Sequence, residues 1–111
     1  MFPEIDHIER HEDTLTLSLS ISEDVYYFAG HFPNAPILAG VVQVHWALHY
    51  LNEHFAMKIS DYKAIDALKF QVIIAPNSQV KLCLKKINEH KFSFSYSSEN
   101  GSHSSARVVY Q

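Results

Sequence analysis

Residues 38–55 read LAGVVQVHWALHYLNEHF, and the fold turns on this stretch. Its length and the absence of an internal proline predict a helix. Over the first three turns Val41, Val42, Val44, Trp46, Ala47, Leu48 and Leu51 leave almost no polar side, so other elements must wrap the helix. The flanking sequence supplies strands to do so. Residues 14–21, TLTLSLSI, alternate with the period of a strand buried on one face and are read as the first strand. Further strands are expected at about 61–74, 79–87, 91–98 and 102–110. In 91–98, Phe92, Phe94 and Tyr96 alternate with Ser93, Ser95 and Ser97, and SENGS before the last strand is a hairpin signal. Strand, buried helix and then an antiparallel run make an α+β chain: a curved antiparallel sheet around one long central helix.

The chain has 111 residues with no linker, repeat or low-complexity tract, so residues 1–111 are read as one domain. A chain of this length hides only about two-thirds of its unfolded surface when it folds alone, so an oligomer is expected. The net charge of −3 is scattered, without the basic stripe that nucleic acid needs or the cationic amphipathic helix that a membrane surface needs. The start MFPEIDHIERHED is acidic where a secretory signal would be basic and then apolar, and no apolar run approaches ~20 residues. A cytoplasmic location is the expectation. Cys83 is the single cysteine, which excludes an internal disulfide and suits a packing thiol better than a nucleophile.

The remaining signal is residues 30–46, GHFPNAPILAGVVQVHW. Gly30, His31, Phe32, Pro33, Pro36 and Gly40 stand in register with a GHFPxxPxxPGxxxxE/D pattern, and the chain thereby resembles the 3-hydroxyacyl-[acyl carrier protein] dehydratases. Lys69-Phe70 followed by Ala75-Pro76-Asn77-Ser78-Gln79 is similar to that family's KFxxxxxPGDxL stretch, and the resemblance spans roughly residues 27–80. The GVVQVHWAL segment and the short chain look closest to the small dehydratases of aryl-polyene clusters. The resemblance implies a hotdog fold and a dimer or higher oligomer with shared sites. It also implies reversible loss of water from a 3-hydroxyacyl thioester carried on acyl carrier protein or CoA, with no metal and no cofactor.

The chemistry explains the residue types. Removing a proton from C2 of a thioester needs a base with a pKa near neutrality, which an imidazole has without tuning; the resemblance assigns this to His31. The enolate-like oxygen needs preorganised donors, and N–H groups at a helix start supply hydrogen bonds and the positive end of the dipole. Gly40 occupies the matching position, and the carbonyl of Ile37 matches the group that orients the histidine ring. At position 45, where the family carries Glu or Asp to protonate the departing hydroxyl, this chain has His45. An imidazole can donate that proton, although a helix start disfavours its charged form. Ala39 replaces a proline of the pattern, which loosens the loop without touching the chemistry.

Plainer readings stand beside these. Gly40 also suits close helix–sheet packing. Phe28, Phe32 and Trp46 can line an acyl tunnel or simply fill the core. His45 and His49 are four apart, a metal-ligand spacing, but no third ligand accompanies them in sequence. His7, His11, His54, His90 and His103 fall in polar segments and read as surface residues. Lys81 and Lys85 share a strand face that could meet an acidic carrier protein but equally reads as solvated. Three functions stay open: a dehydratase with His45 as acid, a non-catalytic acyl-thioester or carrier-binding dimer, and a thioesterase of the same fold. A heterodimer in which a second hotdog subunit supplies the carboxylate is also open.

Overall fold

A computed structural model of the chain describes residues 2–24 and 37–111. Six strands, β1 (Glu4–His11), β2 (Thr14–Ile21), β3 (Tyr62–Phe70), β4 (Ser78–Asn88), β5 (Lys91–Ser98) and β6 (Gly101–Tyr110), form one antiparallel sheet in the order β1-β2-β4-β5-β6-β3. The helix α1 runs from Gly40 to Phe55. The α+β architecture expected from periodicity is therefore present, with boundaries within a few residues at most elements.

The core follows from alternation. Leu15, Leu17, Leu19 and Ile21 of β2, Val80, Leu82 and Leu84 of β4, Phe92, Phe94 and Tyr96 of β5, and Ala106, Val108 and Tyr110 of β6 are buried on one face. Trp46, Ala47, Tyr50 and Leu51 of α1 join the same cluster. Fully burying a large apolar side chain contributes about 1.5–3 kcal/mol, so this shared face fixes where the helix sits. Lys81 and Lys85 point the other way and are exposed, in keeping with the solvated reading. Among the described residues no helix is long and apolar enough to cross a membrane.

Three features depart from the sequence reading. Residues 14–21 are not the first strand: β1 precedes them, pairing from Glu4↔Ser20 to His11↔Thr14 around a turn at Glu12 and Asp13. Every residue of β1 is exposed, so the strand, held at a sheet edge by its backbone ladder and by the side chains of Asp6 and Arg10, leaves no period-2 hydrophobic signal.

The helix, expected to be wrapped on all sides, buries one face and leaves Val41, His45 and Glu53 exposed among the described residues. Its start is Gly40, with Ala39 extended (φ −61°, ψ 144°) as N-cap. Gln43 is buried while Val41 and His45 are exposed. Residues two apart lie roughly 200° around a helix axis, so burying Gln43 turns its neighbours at 41 and 45 outward. The helix ends at Ala56, which adopts the left-handed conformation (φ 57°, ψ 30°) and donates its N–H to Leu51 O.

His103 is not a surface residue. It is 3% exposed, because the pairing of β5 with β6 slips between Tyr96↔Ser104 and Ser97↔Ser102 and leaves His103 as the extra residue of a β-bulge. The bulge places two successive side chains, His103 and Ser104, inside. β3 carries a second irregularity between Asp66 and Lys69, where Ala67 has φ 54°. The strand ends at Phe70 instead of 74, although Gln71 N–H still reaches His103 O (2.9 Å) and Val72 N–H reaches Ser102 O (3.3 Å).

Candidate active site

The start of α1 is the best-defined part of the site. Ala39 O accepts the N–H groups of Val42 (3.1 Å) and Gln43 (3.2 Å). These bonds fix the plane of the Ala39–Gly40 peptide. In a trans peptide the N–H points opposite to the C=O, so Gly40 N–H is aimed out of the helix end, where it is one of the donors a helix cannot satisfy internally. The segment before it is pinned as well: Leu38 N–H donates to Ile74 O (3.1 Å) and Gln43 Nε2–H donates to Leu38 O (3.1 Å). The outcome is a fixed donor at the positive end of a helix dipole, an arrangement suited to an oxygen that gains negative charge.

Gly40 also meets the packing expectation. A Cβ built on it would stand 2.5 Å from Phe70 Cζ, so the phenyl ring lies against the bare Cα. Ile37 is half-buried at the approach to the helix. Trp46 is fully buried in the core cluster, which matches the plainer of its two readings. Phe28, His31 and Phe32 lie outside the described residues, as does the rest of the GHFPNAP stretch.

His45 sits on the open face of α1 in a row with Val41, His49 and Glu53. Phe2, from the N-terminal segment, stacks over both histidines, 5.7 Å from the His45 ring at 23° and 4.0 Å from the His49 ring at 26°. His49 Nε2 lies 3.1 Å from Glu53 Oε1. Among the described residues no group of three or more His, Cys, Asp or Glu is placed to hold a metal ion. His45 thus lies on the exposed face of α1, while Gly40 lies against Phe70.

Sequence reasoning missed a polar network under the helix start. Ser104 Oγ–H donates to Gln43 Oε1 (2.6 Å) and Tyr96 OH donates to Gln43 O (2.7 Å). Next to Ser104, the His103 ring bridges Val72 O from Nδ1 (3.0 Å) and Ser98 Oγ from Nε2 (2.6 Å). A carbonyl can only accept, so Nδ1 carries a proton, and in the neutral ring Nε2 then accepts from the Ser98 hydroxyl. Burial holds the Tyr96 phenol far above its usual pKa, with the neighbouring Tyr50 adding to the shift, which keeps it a donor. The one signal available in sequence was a glutamine amid the apolar turns of 38–51.

The sheet and helix match solved structures over nearly their full length. The ApeI:P dehydratase heterocomplex of Xenorhabdus doucetiae aligns with a TM-score of 0.85 and 26% identity, covering 98% of this chain and 97% of that one. An uncharacterized protein from Erwinia carotovora subsp. atroseptica aligns at 0.77 and 27%, covering 100% and 97%. A curated relative, the 3-hydroxyacyl-[acyl-carrier-protein] dehydratase FabZ of Clostridium botulinum, is 29% identical over 72 residues, 60% of this chain. The match spans half of that relative's own length. The six-stranded sheet with its helix is thus the hotdog fold of these relatives. The family model for the ApeI dehydratase matches residues 7–107, and the chain belongs to the ApeI-like dehydratase family.

Proposed function

We propose that the chain is a 3-hydroxyacyl-thioester dehydratase acting on acyl carrier protein or CoA substrates. The observation that carries the reading is the Gly40 amide: in a chain of a dehydratase family, it is fixed at the start of α1 by the bonds to Ala39 O. The thioester carbonyl accepts from Gly40 N–H. His31 takes the C2 proton, the C2–H electron pair moves into the enolate, and the C3 hydroxyl leaves as water with a proton from an acid. In the reverse direction water adds to the enoyl thioester. Ile37 O orients the His31 ring, and Phe28 and Phe32 bound the acyl chain. A cytoplasmic location suits these substrates.

The acid is the point at which two versions diverge. In the first, His45 supplies the proton. The second is favoured by the outward placement of His45 and by the heterocomplex found for a structural relative: a second hotdog subunit covers the open face of α1 and brings a carboxylate. Both versions need a partner subunit, identical or diverged, because the row Val41, His45 and Glu53 is left exposed by this chain's own sheet.

Loss of enoyl absorbance on mixing the protein with a medium-length trans-2-enoyl-CoA tests the reading, beside His31→Ala and His45→Glu. Turnover by wild type that His31→Ala abolishes supports it. A wild type that is silent and gains activity from His45→Glu indicates a partner-dependent or binding form. Thiol release from acyl-CoA without hydration would point to a thioesterase and overturn the proposal.

A further inference from the structure

We infer that Gln43 is a positioning residue that holds the Gly40 amide in line with the thioester oxygen. This rests on the dehydratase reading above.

Gln43 is 4% exposed and makes contacts in three directions from one turn inside α1. Its backbone N–H donates to Ala39 O (3.2 Å), and its Nε2–H reaches back five residues to Leu38 O (3.1 Å). Its Oε1 accepts from Ser104 Oγ (2.6 Å) and its C=O accepts from Tyr96 OH (2.7 Å). Docking a helix onto a sheet needs none of these side-chain bonds. An aliphatic residue of similar size would do so without desolvating a carboxamide. The bond to Leu38 O lies outside the helix ladder and secures the residue before the extended Ala39. Gly40 N–H belongs to a peptide framed on one side by Gln43 and on the other by the Leu38–Ile74 bond.

This rigidity has a use in the reaction. As the carbonyl oxygen gains charge, a donor aimed in advance needs no reorganisation, and loss of such a donor typically costs 10²–10³ in turnover. A donor that remains but wanders should lose part of that. Ser104 is fully buried and can act only through Gln43, since its hydroxyl is committed to Gln43 Oε1.

The test compares Gln43→Met, Ser104→Ala and the double variant with wild type in steady-state hydration of trans-2-enoyl-CoA. Thermal unfolding and the 15N order parameter of Gly40 are measured alongside. Gln43→Met is expected to stay folded, to lose about tenfold in kcat and to keep KM within about threefold. Ser104→Ala should move the same way by less, and the double variant should be no slower than Gln43→Met. A folded Gln43→Met with kcat within twofold of wild type overturns the inference, as do effects that simply multiply. If wild type hydrates nothing on its own, turnover cannot report on Gln43, and Gly40 order alone decides its role. A fall from the rigid range near 0.85 in Gln43→Met supports it, and an unchanged value refutes it.

Discussion

The ring of Phe70 lies against the Cα of Gly40, at a separation that leaves no room for a methyl group: a Cβ there would be 2.5 Å from Phe70 Cζ and 2.8 Å from Cε1. The ring is half exposed, so it can swing outward when pushed. Gly40→Ala should therefore fold and lose about 1 kcal/mol, the low end of overpacking costs. In a Phe70→Ala background the same change should cost nothing. Urea denaturation of the four proteins reads the coupling, and equal penalties in both backgrounds would refute the contact.

At the other end of the helix, Ala56 holds φ 57° without being a glycine. An L-residue pays about 1 kcal/mol or more for the left-handed region, and glycine is the usual occupant of this position. Ala56→Gly should raise stability by about 0.5–1 kcal/mol, seen as a higher urea midpoint. A lower midpoint would show that the added freedom of the unfolded chain outweighs the relieved strain.

His103 ties the β6 bulge to the segment after β3 through Val72 O and Ser98 Oγ. His103→Leu roughly keeps the volume but removes both bonds; the Val72 carbonyl and Ser98 hydroxyl are only part-buried and can turn to water, so each lost bond should cost about 0.5–1.5 kcal/mol. Stability should fall, and amide hydrogens at 71–74 should exchange faster than those of β4. Unchanged exchange there would mean the clip contributes nothing to this segment.

The sequence made the interior easy to read and the edges hard. Leu15 to Ile21 and Phe92 to Tyr96 alternate because one face is packed and the other is not, and that contrast is written in residue type. β1 has no such contrast, since all eight of its residues are exposed, and its ladder to β2 uses only backbone groups that every sequence has. His103 escaped for a different reason. A bulge adds a residue without changing composition, so HSS beside a glycine turn reads as surface although the inserted residue is turned inward. At the candidate site, Gly40 and His45 were singled out only through the family resemblance of the 30–46 stretch. The side of α1 each faces, and the anchoring by Gln43 and Ser104, come from a contact 61 residues away in sequence.

Three tyrosines set the alkaline limit of the fold. Burial first, and Glu53 second, push Tyr50 from its ordinary 10.0 up to about 12. Burial, then Tyr62, moves Tyr110 to about 12. Burial, then Tyr50, raises Tyr96 well above its ordinary value. Below pH 10 both folded and unfolded chains keep these protons. Above it the unfolded chain loses them while the folded chain does not, so unfolding gains and stability falls as pH rises towards about 12. Urea midpoints between pH 8.5 and 11.5 should decline from roughly pH 10, less steeply in Tyr50→Phe. A flat profile would contradict the assigned burial.

The outer edge of β3 gives the chain a property that no single residue has. Among the described residues no strand pairs with it, and Leu68, Phe70, Val72 and Ile73 are exposed along its length and just beyond. An open apolar edge is a template for adding another strand, wanted or not. Dilution then acts as a denaturant: the melting temperature should climb with protein concentration as mass action populates the paired form. Overproduction of the chain without its proper mate should divert it into aggregates.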